Sequence, residues 1–142
     1  MKEHVFIDSD VIIDVLSLRQ EFLMNSSRIL TLVEQKKIAG YTSTICIVNC
    51  NFVLERARIE DRLEKILMIR NLLNILPCTS KDIDDSIESK FSDFEDGVQH
   101  AIAVNSNKCK TIITRNIKDY LESKLDVLTP EQYLAKLKKQ IN

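Results

Sequence analysis

Carboxylates gather at three places in this chain, each beside an apolar stretch. Val5-Phe6-Ile7 runs into Asp8, with Asp10 two residues on and Asp14 a helical turn later. Ser92-Asp93-Phe94-Glu95-Asp96-Gly97 opens a second apolar segment and sets Asp93 and Asp96 on one helix face at i, i+3 spacing. Thr111-Ile112-Ile113-Thr114 leads into Arg115, Asn116, Lys118 and Asp119, an amide, two cations and an acid. Clustered carboxylates repel one another, and their pKa values rise unless a cation neutralises them. The natural neutraliser is a hard divalent ion, Mg²⁺ or Mn²⁺, which binds carboxylate oxygen and attaches to substrate phosphate. Two such ions roughly 3.5–4 Å apart activate water and stabilise the leaving oxygen in phosphodiester hydrolysis. The residues therefore point to metal-dependent phosphoryl transfer. Each acid also has a plainer reading. Asp8 and Asp93 suit helix N-caps, Asp96 suits the first turn of a helix dipole, Asp14 suits a helix face with a minor local role, and Asp119 suits a solvated loop. Their joint placement at strand ends, without a Ser/His, Cys/His or glycine-rich phosphate loop to compete, favours the chemical reading.

For these acids to meet, the strands they follow must be neighbours, since sites in open α/β sheets form outside the carboxyl ends of the strands. Residues 1–8 read as a strand buried on both faces, because the apolar run is continuous rather than alternating. Residues 10–18 read as a short helix. Ser26 and Ser27 are expected to cap a helix carrying Ile29, Leu30, Leu32 and Val33 that stops near Gly40. Residues 40–43 suit a brief strand and 44–58 a helix. Residues 61–76 give the clearest helix, with Leu63, Ile66, Leu67, Ile69, Leu72 and Leu73 as an apolar stripe ended by Pro77. That stripe serves either core or dimer, with core expected for most of it. Thr79-Ser80-Lys81-Asp82 opens another helix, residues 94–105 a further one, 111–114 a strand, 127–128 a last strand, and Pro130 a final helix. Strands alternating with helices imply an α/β fold, a three-layer α/β/α sandwich around a short, mainly parallel sheet. No linker or repeat divides the 142 residues, so a single domain over 1–142 is expected.

Charge sets further bounds. Twenty Lys and Arg against 21 Asp and Glu leave a formal charge of −1, which argues against holding nucleic acid by global charge alone. Two Gly and two Pro exclude collagen-like and disordered classes. No apolar run reaches the roughly 20 residues of a membrane span, so a soluble, cytoplasmic protein is expected. Cys46, Cys50, Cys78 and Cys109 form no CxxC pair and read as reduced core thiols.

The stretch from Val5 through Asp8-Ser9-Asp10 to Leu16 resembles the opening motif of PIN domains: a strand, Asp-Thr/Ser-Asn/Asp, then an apolar helix. Residues 93–101 resemble the helix of their third motif, residues 114–120 their fourth, and residues 127–131 their C-terminal strand and helix. The resemblance covers essentially the whole chain in order, and includes the VapC-type toxins of toxin–antitoxin pairs. It implies an Mg²⁺- or Mn²⁺-dependent endoribonuclease acting on RNA, with a cognate antitoxin and a homodimer as expected partners. Carried over by position, Asp8 is the first metal ligand, Asp96 the third-motif acid, and Asp93 a supporting ligand or cap. Asn116 stands where many members have Asp, and Asp119 three residues on supplies a carboxylate. Asp10 is a supporting residue. Arg115 and Lys118 flank the site as phosphate contacts, and Arg56 and Arg58 extend that rim.

The second motif departs from the family pattern: Ser43-Thr44-Ile45-Cys46-Ile47-Val48-Asn49 presents Asn49 where members usually have Glu. Asn49 and Asn116 lower the negative charge of the cup and with it the metal affinity. They also favour an alternative, a non-catalytic PIN-like module that binds RNA or a partner. Asp8-Ser9-Asp10 after a strand further resembles the nucleophile motif of haloacid-dehalogenase-type phosphatases, although the chain is short for that fold and Ile12 is atypical there.

Overall fold

The computed structural model describes residues 2–141. Met1, where the first strand was expected to open, lies outside the described residues. The chain runs β1 (Glu3–Ile7), α1 (Ser9–Leu16), α2 (Gln20–Glu34), β2 (Ile38–Ser43), α3 (Thr44–Arg56), α4 (Arg62–Leu72), β3 (Asn74–Leu76), α5 (Ser80–Glu88), α6 (Phe94–Asn105), β4 (Thr111–Ile113), a 3-10 turn (Ile117–Tyr120), β5 (Asp126–Leu128) and α7 (Pro130–Ile141).

The five strands form one sheet in the order β3-β2-β1-β4-β5, every pair parallel. Successive side chains on a strand point to opposite faces, and the core divides accordingly. Val5, Ile7 and Ile113 pack with Val11, Ile12, Ile29, Leu54, Ile69 and Tyr133 from α1, α2, α3, α4 and α7. Phe6 and Ile112 point the other way, against Val98, Ile102 and Ala103 of α6 and Tyr120. Helices therefore cover both faces, which is the expected α/β/α sandwich and explains why Val5-Phe6-Ile7 and Ile112-Ile113 are apolar without alternation.

Local readings differ at several points. Ser26 and Ser27 do not cap a helix; α2 begins at Gln20 and both serines lie within it. The Ser27 hydroxyl donates to the Leu23 carbonyl at 2.6 Å, and buried Ser26 donates to Asp14 Oδ2 at 3.1 Å, so each finds a partner without breaking the helix. Gly40 is not the helix stop. Lys36 adopts φ 59°, Lys36 N–H donates to the Val33 carbonyl, and Lys37 N–H to that of Leu32, a Schellman ending built on lysine. Gly40 instead lies inside β2, where a β-carbon would overlap the Val33 and Leu73 side chains.

The expected helix over 61–76 ends at Leu72, and Asn74–Leu76 forms the edge strand β3 beside β2. Most of its apolar stripe serves the core, as expected: Ile69 and Leu73 are buried and Ile66 and Leu72 pack against the core, while Leu63 and Leu67 are exposed.

Candidate active site

The order β2-β1-β4 brings the carboxyl ends of β1 and β4 side by side, so Asp8 after β1 meets Thr114 after β4. Asp8 adopts extended backbone and caps α1, its Oδ1 accepting Ser9 N–H at 2.7 Å. Its Oδ2 accepts from the Thr114 hydroxyl at 3.0 Å and from the phenol of Tyr120 at 3.1 Å. The cap expected of Asp8 is therefore present, together with two contacts that a simple cap does not need.

Thr114 also stands 3.2 Å from Asp10 Oδ2, which accepts Arg115 N–H at 3.0 Å. A hydroxyl has one proton to give and two lone pairs. Asn116 N–H already donates to Thr114 Oγ at 3.1 Å. All these contacts are satisfied together when one carboxyl of the Asp8–Asp10 pair carries a proton and donates it to Thr114. Burial, followed by the Asp8 charge, pushes Asp10 up to about 7. Burial also raises Asp8, against the lowering effect of its hydrogen bonds to Ser9, Thr114 and Tyr120. Asp10 Oδ1 is buried without any hydrogen-bond partner.

The third acid comes from α6. Asp93 caps this helix, its Oδ1 accepting Asp96 N–H at 2.9 Å, and thereby turns Asp96 into the site. Burial, then the charges of Asp93, Asp119, Asp8 and Glu95, raise Asp96 to about 7. These acids share one cleft of about 430 Å³ lined by Asp8, Asp10, Asn49, Asp96, Asn116 and Asp119, among others. Asp93, Glu95 and Arg19 complete its rim. Asn49 reaches across from α3, its Nδ2 donating to the Ser9 hydroxyl at 3.1 Å. Lys118 is exposed on the 3-10 turn and is not part of this wall. Arg56 sits over the Phe52 ring at 5.5 Å, and neither it nor Arg58 lines the cleft.

Arg115 requires a correction. Its Nε donates to Asp14 Oδ2 at 2.7 Å and its Nη2 to Asp14 Oδ1 at 3.0 Å, while the Phe22 ring lies 3.8 Å below the guanidinium. Asp14 is fully buried, so the pair anchors the loop after β4 onto α1 and α2 instead of offering a free guanidinium to phosphate. Asp14, expected on a helix face with a minor role, is thus the buried partner. Sequence spacing carried no signal for this pair, or for the Tyr120 phenol on Asp8.

The donors suit a hard divalent ion: the side-chain donors of the cleft are oxygens, most of them carboxylate, and Arg19 at the rim is the one guanidinium lining it without an ion pair among the described residues. The partnerless Asp10 oxygen is a further sign of missing positive charge. Among the described residues no three acid, His or Cys side chains close tightly on one point, so an ion would draw on the carboxylates from separate walls of the cleft.

A parallel α/β sheet with carboxylates converging from the ends of β1 and β4 and from the start of α6 defines a class of acid-clustered phosphoryl-transfer folds. Residues 4–118 match the profile of the PIN domain, and the chain belongs to that family. It is similar to "Ribonuclease VapC1" of Aquifex aeolicus (strain VF5), 28% identical over 136 residues, or 92% of this chain and 93% of that protein. Among solved structures it resembles a toxin-antitoxin complex from Klebsiella pneumoniae (TM-score 0.66, 21% identity, 89% of this chain and 97% of that one). It also resembles VapBC2 from Rickettsia felis bound to a DNA fragment from their promoter (TM-score 0.66, 15% identity, 88% and 96%). These neighbours bear on the fold. The haloacid-dehalogenase reading falls with the family assignment.

Proposed function

We propose that this PIN-domain protein is a divalent-metal-dependent endoribonuclease, acting as one domain and as the toxin of an antitoxin-controlled pair. The observation that carries the reading is the convergence of Asp8, Asp10, Asp96 and Asp119 in one cleft, with two of the four carboxyls raised to about 7. The similarity to a protein named as a ribonuclease over nearly its full length supports RNA as the substrate. The toxin-antitoxin complex among the structural neighbours supports an antitoxin partner.

In this reading Asp8, Asp96 and Asp119 hold the ion, with Asp93 supporting Asp96 and the oxygens of Asn49 and Asn116 adding neutral donors. When bound, Mg²⁺ or Mn²⁺ supplies Lewis-acid activation of water and stabilisation of the leaving oxygen. The chain's own part is positional. Tyr120, Thr114 and Ser9 fix the Asp8 carboxylate from three sides, and the Asp93 cap sets the rotation of Asp96. Asp10 takes up or releases the proton it shares with Asp8 through Thr114 as the charge in the cleft changes. Lys118, free on the neighbouring turn, contacts the phosphate strand outside the cleft.

The exposed Val48 and Phe52 of α3 and Phe94 of α6 border an apolar hollow beside Asn49, which suits the homodimer contact. A reducing cytoplasm fits four free cysteines. No helix among the described residues is long and apolar enough to cross a membrane.

The test is cleavage of a labelled RNA by metal-free protein to which Mn²⁺ is added back. Loss of cleavage in Asp8→Asn and Asp96→Asn, with folding retained, is the expected result. Cleavage that survives both substitutions, or that needs no divalent ion, would refute the reading. A fully inactive wild type that binds RNA would instead favour the non-catalytic module to which Asn49 and Asn116 point.

A further inference from the structure

The cleft is a poor place to gather RNA. Its walls carry six acids, Asp8, Asp10, Asp93, Glu95, Asp96 and Asp119, against two guanidiniums, of which Arg115 is committed to Asp14 and only Arg19 at the rim is unpaired among the described residues. The whole chain has a formal charge of −1, so no global field attracts a polyanion. The lysines are placed elsewhere. Lys2 immediately precedes β1, Lys37 precedes β2 after Lys36, Lys110 precedes β4 after Lys108, and Lys124 lies two residues before β5. All six are exposed, and among the described residues none has an ion-pair partner.

Topology turns this sequence pattern into a surface. Because every strand is parallel, all the strand starts lie on the edge of the sheet opposite the acids. Because β2, β1, β4 and β5 are consecutive neighbours, about 4.8 Å apart, the lysines form a row along that edge. The register sets Glu3 beside Ile38, which places Lys2 next to Lys37. The acids of this edge are fewer. Glu34 and Asp126 are exposed, Asp85 and Glu122 line one hollow with Lys124 at the β5 end, and the Glu3 carboxylate is taken by the Tyr133 phenol at 2.6 Å and Lys136 at 3.9 Å. Lys138 and Lys139, in the last turn of α7, add to the same sign of charge. Lys2 and Asp8 are six residues apart along one extended strand, roughly 20 Å.

We propose that this lysine edge is a second contact for the RNA sugar-phosphate backbone, which captures the substrate at the pole opposite the acidic cleft. The inference rests on the RNA reading above and deepens it. Affinity comes from the lysine row and chemistry from the acids, so only an RNA long enough to span both poles gains from the row. A plainer role exists for some of these lysines, since Lys36, Lys37 and Lys108 follow the carboxyl ends of α2 and α6, where cations offset the helix dipole. The experiment separates the two.

Fluorescence anisotropy in EDTA compares binding of a labelled single-stranded RNA of about 24 nucleotides with one of about 5. The proteins are wild type and the variants Lys2→Gln/Lys37→Gln, Lys108→Gln/Lys110→Gln and their combination. In the quadruple variant, affinity for the long RNA is expected to fall at least tenfold at low salt. Its slope of log K against log salt is expected to flatten by about 3, at about 0.7 per lost phosphate contact. Cleavage of the short RNA in Mn²⁺, which needs only the cleft, is expected to stay as in wild type. The proposal is overturned by unchanged long-RNA affinity in folded variants, by a lowered melting temperature as the sole effect, or by a wild type that holds no RNA. Short-RNA cleavage reports on the nuclease reading separately, so the loss of one leaves the other standing.

Discussion

Arg115 and Asp14 close a two-pronged ion pair across 101 residues, Nε to Oδ2 at 2.7 Å and Nη2 to Oδ1 at 3.0 Å. It fixes the loop that delivers Thr114, Asn116 and Asp119, because the backbone N–H of the same Arg115 donates to Asp10. Removing Asp14 leaves a largely buried guanidinium facing apolar Phe22 without its counter-charge. Breaking such a pair from one side costs about 3–5 kcal/mol. Asp14→Ala should therefore lower the melting temperature by roughly 10 °C. Calorimetric melting checks this, and a fall of only a degree or two would show that the pair does little for the fold.

The raised carboxyls make stability depend on pH in an unusual direction. Asp10 and Asp96 move from 3.8 to about 7 on folding, so between those values the folded state binds more protons than the unfolded chain. Their contribution is complete below about pH 4 and is lost as pH rises through about 7. His100 acts oppositely over its own window, since burial, then Lys124, lowers it from 6.5 to about 4. Two carboxyls outweigh one imidazole. Metal-free protein should melt several degrees higher at pH 5.5 than at pH 8, and Asp10→Asn should flatten the difference. Saturating Mn²⁺ should stabilise most at pH 8, where the acids are ionised. A melting temperature that climbs from pH 5.5 to 8 without metal would refute the proton assignment.

Gly97 sits one residue after Asp96, where α6 packs on α5. A β-carbon there would overlap the Ser86 hydroxyl, which is itself held by the Phe94 carbonyl at 2.9 Å. Gly97→Ala should destabilise by about 1–3 kcal/mol through overpacking. The displaced turn also carries Asp96, so Mn²⁺ binding should weaken along with stability. Ser86→Ala should restore part of both in the double variant, because the closest overlap is with the hydroxyl. Melting curves and Mn²⁺ calorimetry on the four proteins decide it: equal losses with and without Ser86 would exclude this contact as the cause.

The parts of the fold that follow from period were legible in the chain. Val5-Phe6-Ile7 and Ile112-Ile113 are apolar at every position because both faces of the sheet are covered, and the acids that follow them mark its carboxyl edge. What failed was set by tertiary partners. Ser26 looked like a cap because an isolated serine competes with helix backbone, whereas here Asp14 takes its hydroxyl. The strand Asn74–Leu76 is three residues long and continues the apolar character of the preceding helix, so periodicity had no room to change. Arg115 looked solvent-facing until Asp14 and Phe22 were seen beneath it. The Tyr120 phenol reaches Asp8 only because a 3-10 turn brings it back under β1, a contact 112 residues long in sequence.

Asn49 offers the most direct probe of the cup. It lines the cleft from α3 at the position where the family pattern has Glu, and its amide donates to the Ser9 hydroxyl at 3.1 Å. Asn49→Glu adds a charge where Asp8, Asp10 and Asp96 already lack compensation, so its effect should change sign with metal. Without an ion the added repulsion should lower the melting temperature and raise the neighbouring carboxyl pKa values further. With Mn²⁺ the extra charged oxygen donor should tighten binding about tenfold, since affinity for hard cations rises with the number of charged ligands. Calorimetric titration of Mn²⁺ into wild type, Asn49→Glu and Asn49→Glu/Asp8→Asn reads both halves. Tighter binding that Asp8→Asn abolishes would establish that residue 49 and Asp8 face the same ion. An affinity unchanged by Asn49→Glu would mean that α3 stands outside the ion's reach.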